Sequence, residues 1–377
     1  MADKIRVLNI LSDTNIGGAG RYLVNFLKYY DRDRFDITVA LPKGSLLVPE
    51  VKAQNTPVIE VDGMGDKSLD LSVIRSLREI IRRERPQIVH THGAMSGRIA
   101  GKRAGAKVVF TRHCAFPVPD RVKKGPGRWL NKALNEHYAD QIIAVSPAAA
   151  ENLTDGGIDP KLIHTMMNGV EPVKRKSPEE CQALRQRLHL SEDTFTLGIL
   201  ARLEAYKGHQ HVLEAASLLK QEGREFQILV AGKGDYEEAL RAMAKELDVE
   251  DRVQFLGFVS DVAELLSILD VQLNASYGTE TSSLSILEGF SMGLPAIVSR
   301  YGGNPWLVDE GENGLLFPNR DSQGLAGCVA RLMDEPDTLK RMGLRARQIY
   351  EERFTGEIFA RNIEAVYLRT LEGDRHE

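Results

Sequence analysis

The sequence predicts an α/β protein made of two doubly wound, Rossmann-like domains that face each other across a cleft. The length of 377 residues suits two domains better than one. Short apolar segments typical of buried strands alternate with amphipathic segments typical of helices, and this alternation indicates parallel sheets. The pattern stops at a polar, proline-containing stretch, residues 171–180 (EPVKRKSPEE), and then starts again.

The first half of the chain contains the expected elements of one such sheet. Strands are predicted at 5–11, 37–41, 58–61, 88–91, 108–111, 142–145 and 163–166, and helices at 22–30, 71–85 and 147–153. Pro86 ends the second of these helices, because proline cannot continue a helix and restricts the residue before it.

The second half repeats the arrangement. Strands are predicted at 196–201, 227–231, 253–256, 271–275, 296–298 and 314–317, with helices at 209–221, 236–246 and 262–268 and a helical C-terminal region. We therefore expect an N-terminal domain over 1–170, a second domain over 171–353, and a final helix within 354–377.

Composition excludes several classes of protein. The hydrophobic content of 42% allows a core in each half, and the net charge of -4 argues against a nucleic-acid partner. Three widely spaced cysteines, Cys114, Cys181 and Cys328, suggest reduced thiols and a cytoplasmic location. The first residues are too short an apolar run for a signal peptide, and we expect no transmembrane helix.

The most informative stretch is 277–300, YGTETSSLSILEGFSMGLPAIVSR. It predicts a polar loop, a helix that ends at Gly293, and a buried strand. Ser282 or Ser283 is expected to cap the helix through its hydroxyl. Glu280 lies in the loop and Glu288 in the helix among apolar residues, where an unpaired carboxylate would be costly. A solvated loop acid and a helix acid paired with a nearby cation remain an alternative.

Two glutamates eight positions apart, on a helix followed by Gly-x-Pro and a strand, resemble the signature of the retaining, nucleotide-sugar-dependent glycosyltransferases of the GT-B fold. Glycogen synthase, sucrose synthase and bacterial surface-polysaccharide enzymes belong to this family. The resemblance implies that Glu280 contacts the donor sugar, that Glu288 holds the ribose, and that the helix N-terminus at Ser283 and Leu284 faces the diphosphate. It also implies a UDP-sugar as donor substrate, no separate cofactor, and a saccharide or lipid-linked acceptor.

Further residues match the same family. Arg202 and Lys207, in ARLEAYKGHQ, follow a predicted strand, and cations there suit a diphosphate leaving group. Gly17 and Gly18 precede a helix, where glycines let the backbone approach a phosphate or an acceptor hydroxyl. His113 follows a strand end and by resemblance contacts the donor sugar. For each of these residues, an ordinary structural role is the alternative.

Some features depart from the family or stay open. Thr281 and Trp306 stand where the family often has glycine and glutamate, so the identity of the donor sugar is not predicted. Gly232 and Gly234 are explained equally well by a ligand or by a tight turn. No metal site is expected: Asp31 and Asp33 form only an Asp-x-Asp, and the histidines and cysteines lack ligand spacing.

The expected reaction moves a sugar from a nucleoside diphosphate to an acceptor hydroxyl with retained configuration, in synthesis of a bacterial surface glycan or glycolipid. A GT-B-fold nucleotide-sugar epimerase and a noncatalytic carbohydrate- or nucleotide-binding protein are the alternatives. The residues themselves do not predict the nucleotide base, for which the resemblance favours UDP, nor the identity of the acceptor or the oligomeric state.

One segment suggests a membrane contact. Residues 98–132 contain ten basic residues and one acid, with Phe116, Val118, Trp129 and Leu130 among prolines and glycines that disfavour regular structure. Basic groups and an aromatic side chain suit an anionic membrane surface. We therefore expect peripheral contact with the inner face of the cell membrane, and a solvated basic loop and helix is the alternative.

Overall fold

The computed structural model describes residues 4–65 and 68–372. It comprises two compact units. Unit 1 is formed by the described residues of Met1–Gly169 and Gly356–Glu377, and unit 2 by Val170–Thr355. Among the described residues, no helix has both the length and the apolar character needed to cross a bilayer.

Unit 1 contains a parallel sheet of seven described strands. The strands are β1 (Ile5–Leu11), β2 (Phe35–Pro42), β3 (Val58–Val61), β4 (Ile88–His92), β5 (Lys107–Arg112), β6 (Gln141–Ala144) and β7 (Ile163–Thr165). Their order is β3-β2-β1-β4-β5-β6-β7. β1 pairs with both β2 and β4, so the direction of winding reverses beside β1.

Helices cover the sheet of unit 1. They are α1 (Gly18–Tyr29), α2 (Leu47–Ala53), α3 (Leu71–Glu84), α4 (Met95–Arg103), α5 (Asp120–Lys123), α6 (Gly125–His137) and α7 (Pro147–Asp155). α3 shows how local sequence sets the ends of a helix. The Asp70 side chain accepts a hydrogen bond from the Ser72 amide, and Arg85 adopts a left-handed conformation just before Pro86.

The last helix of the chain, α16, also packs in unit 1. It spans Gly356–Glu372 and buries Phe359, Ile363 and Tyr367 against α1 and the sheet. The Tyr367 hydroxyl is hydrogen-bonded to His90 Nδ1 at 2.7 Å, and the Asp31 amide donates to Glu364. The C-terminal residues therefore complete the core of the N-terminal fold.

Unit 2 contains six described strands, all parallel. They are β8 (Phe195–Leu200), β9 (Phe226–Ala231), β10 (Val253–Gly257), β11 (Val271–Asn274), β12 (Ala296–Ser299) and β13 (Gly314–Phe317), in the order β10-β9-β8-β11-β12-β13. The helices are α8 (Pro178–Arg187), α9 (His209–Gln221), α10 (Glu237–Glu246), α11 (Val262–Ser267), α12 (Leu284–Phe290), α13 (Asn304–Leu307), α14 (Ser322–Asp334) and α15 (Pro336–Arg353). Two parallel, doubly wound sheets confirm the predicted fold class.

The expectation that the prolines and glycines around residues 116–130 disfavour regular structure was wrong for the part that forms α6. α6 begins at Gly125 and includes Pro126 in its first turn, where proline is tolerated because the missing N–H would have no helical partner. α2 and α4 are further helices that the sequence pattern did not predict. Each is short, and the hydrophobic periodicity of α4 is interrupted by small and basic residues.

α12 contains a glycine with a specific packing role. A Cβ on Gly289 would lie 2.0 Å from Nε2 of the buried Gln272, which donates to the carbonyls of Ile286 and Leu294. By contrast, a Cβ on Gly327, exposed on α14, would meet nothing within 4 Å. Two helix glycines of unit 2 thus differ in whether a methyl group can fit.

We expect Gly289→Ala to lower the free energy of unfolding of unit 2 by about 1–3 kcal/mol, because the methyl group displaces a buried amide. The matched variant Gly327→Ala should raise it by up to about 1 kcal/mol through lower backbone entropy of the unfolded chain. Urea unfolding followed by Trp306 fluorescence in a Trp129→Phe background measures unit 2 selectively. Equal effects of the two substitutions would refute the packing role of Gly289.

Candidate functional site

The candidate site of unit 2 lies where its sheet reverses direction. β8 pairs with β9 on one side and β11 on the other, so the loops after β8 and β11 leave the sheet side by side. Open parallel sheets bind ligands at such points, outside the carboxyl ends of the strands. Arg202 and Lys207 come from the first loop and Glu280 from the second. The fold thus brings together residues that are more than seventy positions apart.

Lys207 and Glu280 form an ion pair in which the glutamate is buried and the lysine is half-buried. Lys207 Nζ lies 2.9 Å from Glu280 Oε2, and the glutamate is 7% exposed. The same oxygen accepts hydrogen bonds from Ser276 Oγ at 2.9 Å and Asn274 Nδ2 at 3.2 Å. The Thr281 amide donates to Oε1 at 3.2 Å. The carboxylate is therefore held in one orientation by side chains of two neighbouring segments and by the backbone amide of Thr281.

These contacts decide the ionisation of Glu280. Burial alone would raise the pKa of its carboxyl group, since it disfavours the charged form. The charge of Lys207 and the hydrogen bonds from Lys207, Asn274 and Ser276 outweigh burial, and the pKa is lowered below its ordinary value. Glu280 is consequently a fixed carboxylate at neutral pH rather than a proton donor.

Arg202 lies in the same loop as Lys207 but is much more accessible. Its side chain is 67% exposed. Its guanidinium donates to Glu204 Oε1 at 2.8 Å and to the Tyr206 hydroxyl at 2.6 Å. Both partners belong to the turn between β8 and α9, so exposed contacts hold the guanidinium against the turn that also carries Lys207. The sequence pattern gave no indication of Tyr206, Asn274 or Ser276 as partners, although Asn274 ends β11 and Ser276 lies just after it.

Glycines allow the loops around the ion pair to approach one another. Gly208 has a φ of 76°, and a Cβ there would lie 1.9 Å from the Ala275 carbonyl oxygen. At Gly302 and Gly303, a Cβ would lie 2.2 Å and 1.5 Å from the carbonyl oxygens of Glu280 and Thr281. The Gly303 amide donates to the Glu280 carbonyl at 3.0 Å. The Gly302–Gly303 turn therefore supports the loop that carries Glu280.

Helix α12, which carries Glu288, lies where the sequence predicted a helix, but its N-cap differs from the prediction. Ser283 occupies the N-cap of α12, yet its hydroxyl makes no capping hydrogen bond and instead pairs with Ser285 Oγ at 3.1 Å. The prediction of a hydroxyl cap at Ser283 was wrong because a neighbouring hydroxyl competes for it. Leu284 and Glu288 are half-buried on this helix.

The Gly232 and Gly234 turn has a steric explanation. A Cβ on Gly232 would lie 1.9 Å from the Ala201 carbonyl oxygen, and one on Gly234 would lie 2.2 Å from that of Leu203. The Leu203 amide donates to the Lys233 carbonyl at 3.0 Å. Close packing against the loop that begins at Ala201 accounts for both glycines, so the tight-turn explanation suffices.

In unit 1, the sheet reverses between β1 and β4, and Gly17 and Gly18 lie at the start of α1 just after β1. A Cβ on Gly18 would meet nothing within 4 Å, and one on Gly17 only the Asp13 carboxylate at 3.7 Å. Neither has a positive φ. Neither packing nor backbone strain therefore requires glycine at these two positions. The absence of side chains leaves the backbone at the N-terminus of α1 accessible.

His113 belongs to a group of histidines at the same edge of unit 1. His92 Nδ1 lies 3.0 Å from His113 Nε2, and His92 Nε2 lies 3.1 Å from Asn9 Oδ1. His90 is bonded to Tyr367 and to Thr111. Burial lowers the pKa of His90 and His113 to about 3 and that of His92 well below its ordinary value. All three rings are therefore neutral at physiological pH.

A cavity of about 720 Å³ adjoins these histidines in unit 1. Its lining includes His92, His113, Arg98 and Arg112, together with apolar side chains of the segment after β5. Two of the ten cations assigned to a surface patch, Arg98 and Arg112, thus face the interior. That part of the surface prediction was wrong because a count of charges does not show the direction of each side chain.

Metal ligands were not expected, and no group of three or more His, Cys, Asp or Glu within 4–65 and 68–372 is arranged to hold a metal ion. Asp31 and Asp33, the Asp-x-Asp pair, have a local role. The Asp31 carboxylate accepts hydrogen bonds from the amides of Asp33 and Arg34 and so closes the turn between α1 and β2.

Comparison with known proteins supports a single family. Residues 16–174 match the family described as Glycosyltransferase Family 4, and residues 181–349 match Glycosyl transferases group 1. EpsD of Bacillus subtilis strain 168, assigned as a glycosyltransferase, is 30% identical over 74% of this chain and 76% of its own length. N-acetyl-alpha-D-glucosaminyl L-malate synthase of Bacillus anthracis is 28% identical over 81% of each protein.

A solved structure has the same fold. The crystal structure of Anabaena HepE in complex with UDP superposes with a TM-score of 0.83 at 22% identity, covering 97% of this chain and 100% of that one. The family matches and the identity to EpsD establish what the geometry of the two units suggests. The chain belongs to the nucleotide-sugar-dependent glycosyltransferases of the GT-B fold.

Proposed function

We propose that this glycosyltransferase takes a UDP-sugar as donor, retains the anomeric configuration and needs no metal ion. The observation that carries this proposal is the Lys207–Glu280 ion pair beside Arg202 at the reversal of the unit 2 sheet. A diphosphate leaving group needs fixed positive charge, and the donor sugar needs fixed hydrogen-bond acceptors. The UDP complex of the HepE structure makes uridine the favoured base.

In this proposal unit 2 binds the donor. Arg202 and Lys207 contact the diphosphate, assisted by the Ser283 and Leu284 amides at the start of α12. Glu280 contacts the sugar and Glu288 the ribose hydroxyls. Arg202 must exchange its contacts with Glu204 and Tyr206 for the diphosphate, and its exposure makes this exchange inexpensive.

Unit 1 contributes the acceptor side. The open backbone at Gly17 and Gly18 allows a phosphate or an acceptor hydroxyl to approach the start of α1. His113, kept neutral by burial, contacts the donor sugar by hydrogen bonding rather than by charge. A neutral imidazole offers one donor and one acceptor nitrogen, which suits a sugar hydroxyl.

The chemical step needs no protein base. The bond between the anomeric carbon and the diphosphate oxygen breaks, the acceptor oxygen bonds to the same face of the sugar, and the departing phosphate oxygen takes the acceptor proton. The transition state is oxocarbenium-like, and negative charge builds on the leaving group. Arg202 and Lys207 supply the positive charge that a metal ion would otherwise provide. The depressed pKa of Glu280 agrees with a role other than proton donation.

We expect acceptor-dependent release of nucleoside diphosphate, unaffected by EDTA, with product of the same anomeric configuration as the donor by NMR. Lys207→Ala and Arg202→Ala should each lower turnover at saturating donor by at least about 100-fold, because each removes transition-state stabilisation of roughly 2.7–4 kcal/mol. Arg241→Ala, which removes an exposed cation of α10, is the matched control and should keep full activity.

The outcome separates this proposal from its alternatives. An epimerase would change the donor sugar without an acceptor, and a binding protein would change nothing. Near-normal turnover in both Lys207→Ala and Arg202→Ala would contradict their assignment. Urea unfolding of Lys207→Ala is needed in parallel, since this variant leaves the buried Glu280 carboxylate without its ion-pair partner.

Substitutions of Glu288 and Glu280 should affect different steps, nucleotide binding and turnover. We expect Glu288→Ala to weaken nucleoside diphosphate binding by at least about tenfold, because charge-assisted hydrogen bonds to the ribose are lost. Glu280→Ala should mainly lower turnover of the bound donor. Calorimetry with UDP measures the first effect and single-turnover kinetics the second. Unchanged UDP affinity in Glu288→Ala would exclude the ribose role, and Glu238→Ala on the exposed face of α10 controls for loss of negative charge.

We also propose that the enzyme works in the cytoplasm at the inner face of the membrane. Helix α6 supports this proposal, because Trp129 on it is 70% exposed and Leu130 and Leu134 on the same helix are also exposed. Lys123 and Lys132 are paired with Asp155 and Glu136, which weakens the positive charge of the segment. Lys124 and Arg128 remain exposed cations beside the tryptophan. An aromatic side chain flanked by cations suits a lipid headgroup region.

Vesicle co-sedimentation checks the membrane contact. We expect binding to anionic vesicles and little to neutral ones, because each basic group near such a surface contributes about 1 kcal/mol. Changing Lys123, Lys124 and Arg128 to Ser, or Trp129 to Ser, should reduce it. Equal binding to both vesicle types, or no loss in these variants, would leave a soluble acceptor.

A further inference from the structure

The cavity of unit 1 holds a buried cation that the protein does not neutralise. Arg98, from α4, is 3% exposed and lines this cavity. Its Nη1 donates to Asn135 Oδ1 at 3.0 Å, and its Nη2 to Met95 Sδ at 3.2 Å. The guanidinium carbon lies 4.3 Å from the centre of the Phe110 ring. Its buried Nε has no hydrogen-bond partner among the described residues.

A second guanidinium lines the same cavity. Arg112, at the end of β5, donates from Nε to the Cys114 carbonyl at 3.0 Å and from Nη2 to Asn152 Oδ1 at 2.8 Å. Burial, and then the charge of Arg112, lower the pKa of Arg98 to about 10. The two cations therefore repel each other, and neutral amides rather than acids hold their orientations.

No carboxylate of the described residues compensates either charge. Asp13 also lines the cavity, but neither guanidinium has an ion pair within 4.0 Å in the described part of the chain. Burying a charge without a counter-ion is costly, so such an arrangement is stabilised by an anion that completes it. A guanidinium presents planar, paired donors that match phosphate and carboxylate oxygens.

We propose that this cavity of unit 1 binds the anionic group, phosphate or carboxylate, of the acceptor through Arg98 and Arg112. The presence of an anion site follows from the cavity and its two uncompensated guanidinium groups. The identification of its ligand as the acceptor rests on the proposed function. The apolar remainder of the lining, including Phe110, Val118 and Leu153, accommodates the uncharged part of the same molecule.

The binding test uses the full-length protein saturated with UDP, so that the cations of unit 2 are occupied. Inorganic phosphate, succinate and glycerol are titrated by calorimetry at about 50 mM salt, where screening is limited. We expect phosphate or succinate to bind and glycerol not to bind, and the stronger anion identifies the chemical source. Arg112→Gln should weaken binding by at least about tenfold through the lost charge-assisted hydrogen bonds.

Two further variants make this result decisive. Arg103→Gln removes an exposed cation of α4 that does not line the cavity, and it should bind the anion as the wild type does. Arg98→Gln should also weaken binding. If Arg98→Gln does not fold, Arg112→Gln decides alone, because Arg112 is only half-buried. Absence of binding by both anions, or wild-type affinity in Arg112→Gln, would overturn the proposal.

A kinetic measurement separates this inference from the proposed function. With an anionic acceptor, Arg112→Gln should raise the acceptor KM and leave the donor KM unchanged. If no sugar transfer occurs but phosphate binding still depends on Arg112, the anion site stands and its ligand is not an acceptor. If transfer occurs with unchanged acceptor KM in Arg112→Gln, the acceptor assignment is refuted while the transferase function remains.

Discussion

The ion pair between Lys207 and Glu280 is the contact around which the loops of unit 2 are arranged. A carboxylate at the reversal point of a parallel sheet must be paired, because an isolated buried charge is costly. Pairing it requires the loops after β8, β11 and β12 to converge. Their backbones approach so closely at Gly208, Gly302 and Gly303 that no side chain fits there. The glycine positions and the charged residues are thus parts of one arrangement.

The two units share a doubly wound parallel sheet, but the charged groups at their sheet edges differ. In unit 2 the protein supplies both members of the central pair, so Glu280 and Lys207 neutralise each other. In unit 1 the polar groups at the corresponding edge include neutral histidines, two guanidinium groups and the side chain of Asp13. The Glu280 carboxylate of unit 2 is therefore oriented by an opposite charge. The Arg98 guanidinium of unit 1 is instead oriented by a neutral amide and an aromatic ring.

Sequence reasoning was sufficient for the sheets and for the positions of Arg202, Lys207 and Glu280. Strand periodicity is local, and residues that follow strands of a doubly wound sheet must meet at one edge. It did not predict helix α6, whose start at Gly125 and Pro126 resembles a loop. It also missed the inward direction of Arg98 and the partners Asn274 and Ser276, since these depend on packing between distant segments.

Because the histidines of unit 1 are neutral, the positive charge at this edge of the sheet comes from its two arginines. Burial lowers the pKa of His113 to about 3. The ring is therefore uncharged at physiological pH and adds no positive charge to the cavity. A guanidinium is protonated at physiological pH, and even the depressed pKa of Arg98, about 10, is far above neutrality. The positive charge at this edge is therefore fixed rather than switched by pH. A fixed charge with planar donors selects a permanently anionic group.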